Sequence, residues 1–257
     1  MKVIKHKLGD FKQIQILPLA DLHIGDIHSD GKKITEWLTY IRENENCFCI
    51  LNGDLMDTAT RSSIGDVYSQ AYNPMLQLEQ CVRIFEPIKD KILAVLPGNH
   101  ENRIWKADGI DTTAMMCSQL GIEDRYSSAS AIIFVTFGRQ NGKRDYYPMT
   151  YSIYCVHGSG GGRLPGSKVS RVVALADIID ADVFVHSHSH MPAVVKNSYY
   201  RTFAPRRSIE LIDRLFINTS SSLEYGGYGE VQSYRPNSLD TPLILLDGTK
   251  RGMKAVL

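Results

Sequence analysis

No stretch of this sequence approaches the roughly 20 consecutive apolar residues that a membrane-spanning helix needs. Met1 to Lys7 (Met-Lys-Val-Ile-Lys-His-Lys) lacks the apolar core of a secretory signal. Both absences point to the cytoplasm. Neither sign of charge is in excess: 29 Lys and Arg face 28 Asp and Glu, for a net charge of +1. No overall field therefore recruits nucleic acid or an anionic membrane, and a polyanion would have to be bound locally. Cysteine is scarce as well. The five, Cys47, Cys49, Cys81, Cys117 and Cys155, are odd in number and show no zinc-type spacing. They read as reduced, buried small hydrophobes. Internal repeats and low-complexity tracts are also missing.

What is present is an ordinary globular composition, 43% hydrophobic and 22% charged. The 257 residues are enough to bury a two-layer core and are read as a single domain, 1–257. Strand-like runs occur at Ile14 to Leu19, Cys47 to Leu51, Ile92 to Val95, Ala131 to Phe137, Thr150 to Val156, Asp182 to Val185, Ala193 to Val195, Leu215 to Ile217 and Leu243 to Leu246. Helical spacing covers about Ser29 to Arg42, and Met75 to Phe85 behind an Asn73-Pro74 start signal. A third helix runs from an Asp111 cap to Leu120, stopped by Gly121, and a fourth spans Ser170 to Ile179. Strands alternating with helices make this an α/β chain. Asn141-Gly142 suggests a hairpin turn. Thr58 to Tyr72 reads as a long loop, and loops of that length in a compact domain are usually functional or mobile.

The chemistry gathers at strand ends. The first strand runs into Asp21-Leu22-His23, where alternation puts a carboxylate and an imidazole on one side. The second runs into Asn52-Gly53-Asp54-Leu55-Met56-Asp57, and the third into Gly98-Asn99-His100-Glu101. Later strands end in His157, ahead of a glycine run, and in His186-Ser187-His188-Ser189-His190. Five of the eight histidines, His23, His100, His157, His188 and His190, fall at these ends even without counting His186. One shared site at the edge of a sheet accounts for that better than chance placement. Asp, Asn and His donors without a thiolate suit Mn, Fe or Zn more than Ca.

In this order, Asp-x-His, Gly-Asp, Gly-Asn-His-Glu, His and His-x-His resemble the calcineurin-like metallophosphoesterase superfamily across residues 21 to 190. The resemblance implies a four-layer αββα sandwich of two mixed sheets flanked by helices, with two divalent metal ions at the strand ends, Mn first and Fe, Zn or Mg as alternatives. Asp21, His23, Asp54 and His190 would hold one ion, and Asp54, Asn99, His157 and His188 the other. A metal-bridging hydroxide, a nucleophile at neutral pH, would attack phosphorus. His100 would protonate the leaving oxygen, oriented by Asp57 of the family's Gly-Asp-x-x-Asp pattern. The family usually has Gly before the last His-x-His. Here Ser187 stands there behind an extra His186, leaving a shifted register of His186 and His188 as an alternative.

Arg61 and Arg103 lie close in sequence to Asp54 and His100, where a guanidinium fork would suit a substrate phosphate. Each could equally be a solvated or helix-paired arginine. The glycine run after His157 lacks a P-loop ending and reads as a flexible active-site loop. His6 and His28 match no motif position. Tyr199 to Arg207 could stack bases, but a surface hairpin is preferred slightly.

The Asn99 to Arg103 run and the glycine loop resemble bacterial and phage members grouped with repair exonucleases. The leading expectation is accordingly a phosphodiesterase or nuclease acting on DNA, RNA or a nucleotide. A phosphomonoesterase, including protein phosphatase activity, is the alternative. Against it, protein phosphatases generally carry Arg directly after Gly-Asp-x-x-Asp, and this chain has Thr58. A non-catalytic scaffold of the same fold is a third reading, opposed by the fully occupied ligand positions. Several branches of the family form homodimers, so the resemblance also allows a homodimer here.

Overall fold

The computed structural model describes residues 1–60, 67–139, 148–160 and 162–257. In chain order the described strands are β1 (Lys2–Lys7), β2 (Gln13–Leu19), β3 (Cys47–Asn52), β4 (Ile92–Leu96), β5 (Ser130–Phe137), β6 (Met149–Val156), β7 (Val183–His186), β8 (Ala193–Phe203), β9 (Ser208–Asn218), β10 (Leu243–Asp247) and β11 (Met253–Val256). They form two mixed sheets, ordered β1-β5-β6-β7-β9-β8 and β11-β10-β2-β3-β4. Ile16, Ile50, Leu93 and Ile244 of the second sheet meet Ile133, Ile153, Val185 and Ile217 of the first in a buried layer between them. Helices α1 (Gly31–Glu43), α2 (Pro74–Phe85), α3 (Glu101–Asp108), α4 (Thr112–Leu120) and α5 (Pro165–Ala174) follow in sequence. α1, α2 and α4 cover the outer face of the five-stranded sheet, and α5 covers that of the six-stranded sheet. This is the expected αββα layering.

The local reasons are those read from the sequence. Asp30 caps α1 by accepting from Lys32 N and Lys33 N at 2.9 and 3.0 Å. Asn73 caps α2, accepting from Leu76 N at 3.1 Å ahead of Pro74 at the first helical position. Asp111 caps α4, and Gly121 closes it in the left-handed conformation at φ 68°. β3 and β4 are buried throughout because the helices on one side and the facing sheet on the other cover both their faces, although β4 is the last strand of its sheet.

The structure departs from the sequence reading in several places. β1 and β11 lie at sheet edges and were not expected. α3 begins directly after His100, where no helix was read. α5 starts five residues before Ser170, at Pro165, and ends in a 3-10 turn, Leu175–Asp177. Met149 to Phe137 pairing is antiparallel as a hairpin requires, but the Asn141-Gly142 turn lies outside the described residues. Tyr199 to Arg207 is the tip of the β8–β9 hairpin. Its Arg201 pairs with Asp180, and Arg214 stacks 4.5 Å over Tyr199. No described helix is long and apolar enough to cross a membrane.

Candidate metal centre

β2, β3 and β4 run parallel, as do β6, β7 and β9, so the loops that leave their C-terminal ends converge on one edge of the sandwich. Two glycines let those loops interlock. A Cβ on Gly98 would sit 2.0 Å from Asp54 Oδ1, and one on Gly53 (φ +87°) would sit 2.6 Å from both Gly98 N and His157 Nδ1.

Three groups of donors result. Asp21, His23 and His190 form one, His23, Asp54 and His100 a second, and Asp54, His157 and His188 a third; within each, the ligand atoms lie within 4.8 Å of one another. Asp54 is shared by the last two. Its Oδ2 is 3.2 Å from His157 Nε2, and its Oδ1 accepts from His100 N at 2.8 Å. Asn99 Oδ1 lies 3.3 Å from His157 Nε2, and His23 Nε2 lies 3.4 Å from His190 Nε2. All seven residues expected to hold cations are therefore drawn together. His186 is not among them. Its Nδ1 lies 3.0 Å from Asn218 Oδ1, and its other ring edge packs on Gly158.

The donor geometry fits cations. Asp21 Oδ1 and His188 Nδ1 are buried without a hydrogen-bond partner, a costly arrangement unless an ion completes it. His190 Nε2 lies 3.2 Å from Asp21 Oδ1 but without hydrogen-bond geometry. His157 Nδ1 is 2.7 Å from the Asn52 carbonyl, so Nδ1 carries the proton donated there and Nε2 faces Asp54, the usual arrangement of a ligating histidine. Asp21, His23, Asp54, Thr58, His188 and His190 all adopt left-handed φ, between 42° and 65°. That conformation costs about 1–3 kcal/mol per residue and collects where function demands it.

Charge follows the same layout. Burial opposes ionisation of Asp54, but the neighbouring His157 outweighs it and holds the carboxyl well below its usual range. His157 resists protonation through burial, yet Asp54 and Asp21 push it up to about 10. His188 goes the other way, pushed down to about 4 mainly by burial.

Beside the donors, His100 Nδ1 sits 3.0 Å from Asp57 Oδ1 and 2.8 Å from Asp57 O. Asp57 Oδ1 is also 3.4 Å from His23 Nδ1. Burial alone would raise Asp57, but these two imidazoles hold it well below the usual carboxylate range. Arg103, one turn along α3, places Nη2 2.9 Å from His100 Nε2. A guanidinium only donates, so that contact fixes a neutral ring with its proton on Nδ1. Arg61 lies outside the described residues, as does Gly161 of the glycine run. His6 is structural, its Nε2 2.8 Å from Leu93 O. His28 packs against Gly226 and Gly227.

Several supporting residues escaped the sequence reading. The Glu101 carboxylate is buried under the site and accepts from Gly98 N, Asp54 N, Leu55 N and Met56 N at 2.6–3.1 Å, binding the β3 and β4 loops together. Asn218 donates to Ser189 Oγ and Met191 O, which shapes the His188 to His190 turn. From α5, Lys168 donates to Ser189 O at 2.8 Å and Arg171 to Ser159 O at 2.7 Å. Asn218 carried a readable signal, since it too closes a parallel strand. Glu101 was legible only as part of a motif.

A shared carboxylate between imidazole-rich donor groups, at the C-terminal ends of strands from two facing sheets, defines a metal-dependent phosphate-ester hydrolase. The calcineurin-like phosphoesterase family matches residues 22–216, and the chain belongs to that family. It is therefore a metal-binding hydrolase acting on phosphate esters. A solved structure of a conserved uncharacterized protein, a predicted phosphoesterase from Streptococcus pneumoniae, is 12% identical, with a TM-score of 0.39 over 95% of this chain and 89% of that one. No curated protein matches the sequence at a significant level.

Proposed function

We propose that the chain is a cytoplasmic two-cation phosphodiesterase, residues 1–257 forming one domain, that hydrolyses nucleic acid or a nucleotide. Asp21, His23, Asp54 and His190 hold one cation, and Asp54, Asn99, His157 and His188 the other. Mn is the cation expected first, with Fe, Zn or Mg as alternatives, because the donors are oxygen and nitrogen without sulfur. Such a pair, when bound, activates water at neutral pH and neutralises charge on the phosphoryl oxygens.

The remaining work belongs to side chains on α3 and the β3 loop. Arg103 binds a substrate phosphate oxygen and in doing so leaves His100 Nε2. That nitrogen then takes up a proton, since Asp57 and Asp54 outweigh burial and hold the His100 pKa above its usual value. His100 delivers this proton to the leaving oxygen, while Asp57 keeps the ring oriented through Nδ1.

Preference for a diester rests on Thr58. It occupies the position directly after Gly-Asp-x-x-Asp and is fully buried, with its hydroxyl given to His100 O at 2.6 Å. No cation is supplied there for the second negative charge of a monoester. Hydrolysis of bis-(p-nitrophenyl) phosphate should exceed that of p-nitrophenyl phosphate; equal or faster monoester turnover would overturn the diester assignment.

A further inference from the structure

Gln77 is a fully buried amide on the inner face of α2, among apolar side chains. Left unpaired, such a group costs about 1–3 kcal/mol. Its partners settle its orientation. Thr58 N, which only donates, lies 2.8 Å from Oε1, and Tyr72 O, which only accepts, lies 2.8 Å from Nε2. A flipped amide would face donor with donor and acceptor with acceptor. The second Nε2 proton points at Gln70 Oε1, 2.9 Å away. Gln70 must then present its own Nε2 to the next group, which is Asp57 Oδ2. Asp57 Oδ1 is left to face His100 Nδ1 at 3.0 Å, beside the Asp57 carbonyl at 2.8 Å from the same nitrogen. Space for the amide comes from Gly25, where a Cβ would lie 2.3 Å from Gln77 Nε2.

Accepting the phosphodiesterase reading above, we propose that Gln77 and Gln70 are positioning residues that orient the general acid: a one-way chain of amide donors, anchored on two backbone groups, fixes the Asp57 carboxylate and through it the His100 ring. Asp57 has two oxygens and three side chains competing for them, counting His23 at 3.4 Å. Gln70 ties down Oδ2 and so confines the imidazoles to Oδ1. The same amide of Gln77 holds Thr58 and Tyr72 through their backbone groups.

Gln70 is half-buried on a loop, so Gln70→Ala is the variant of choice. Turnover is measured on two diesters: bis-(p-nitrophenyl) phosphate, whose leaving group needs no proton, and a dinucleotide, whose sugar alkoxide does. Q70A should lower kcat on the dinucleotide by about 10–100-fold, the usual cost of losing an orienting partner, and lower it much less on the p-nitrophenyl ester. His100→Ala should show the same imbalance more strongly, and the double variant should be no worse than H100A. Equal losses on both esters, or losses that add to those of H100A, would overturn the relay. A second readout needs no turnover: in the metal-free protein the His100 Nδ1 proton, assigned by its loss in H100A, should broaden in Q70A by nitrogen-edited NMR. An unchanged signal would also overturn the relay. A wild type that binds cations and shows the NMR effect but cleaves neither ester would uphold the relay and reject the phosphodiesterase reading instead.

Discussion

His157 Nε2 and Asp54 Oδ2 lie 3.2 Å apart, and a cation bound as proposed would displace the proton between them. Asp54 pushes the His157 pKa up to about 10, so cation uptake at neutral pH releases that proton. Affinity should accordingly rise with pH up to about that value. Calorimetric titration with Mn in two buffers of different ionisation heat should report at least one proton released; zero release would contradict the pairing. Glu101 acts one layer below. Glu101→Gln turns an amide NH2 toward backbone donors and should weaken cation binding by about 10–100-fold, read by the same titration. His100→Ala should leave binding intact while turnover falls by about 10²–10⁴. The residues proposed to hold cations were legible because each lies at or just past a strand end. Gln70 and Gln77 were not, and Glu101 only as part of a motif, since their partners are brought near only by the fold.

At the scale of elements, caps and turns carried the clearest signals. Asp30, Asn73 and Asp111 each announced a helix, and each caps the expected one. Asn73→Ala should cost about 0.5–2 kcal/mol by urea unfolding. α3 was missed because no side chain caps it at the usual position: His100 is itself helical, and its amide is met by Asp54 from the β3 loop. β1 and β11 are short edge strands whose polar residues interrupt any apolar run, and their pairing with β5 and β10 is tertiary. The α5 boundary slipped because Gly166 follows Pro165, and the glycine-rich approach masked a proline start. Gly98→Ala should test the interlocked loops. The added methyl would have to displace Asp54, so cation binding should fall even though the backbone φ there suits alanine. Unchanged affinity would show that the loops can separate without loss.

For the whole molecule, the two sheets supply the layer that holds the strained loops in place, and the proposed cations would tie those loops together. Saturation at about 100 times the dissociation constant adds about 2.7 kcal/mol, which for a chain of this size raises the melting temperature by about 5–10 °C; EDTA should reverse it. All five thiols are buried, with burial pushing Cys47 and Cys117 up to about 12, so none should react with a disulfide reagent before unfolding. The central claim, that these loops form a two-cation centre for phosphodiester hydrolysis, is tested most directly by elemental analysis of the purified protein alongside bis-(p-nitrophenyl) phosphate hydrolysis with Mn, Mg, Zn or no added metal. Two metal ions per chain and cation-dependent hydrolysis are predicted. Neither metal nor turnover, even after reconstitution, would contradict the account and leave the fold as a scaffold.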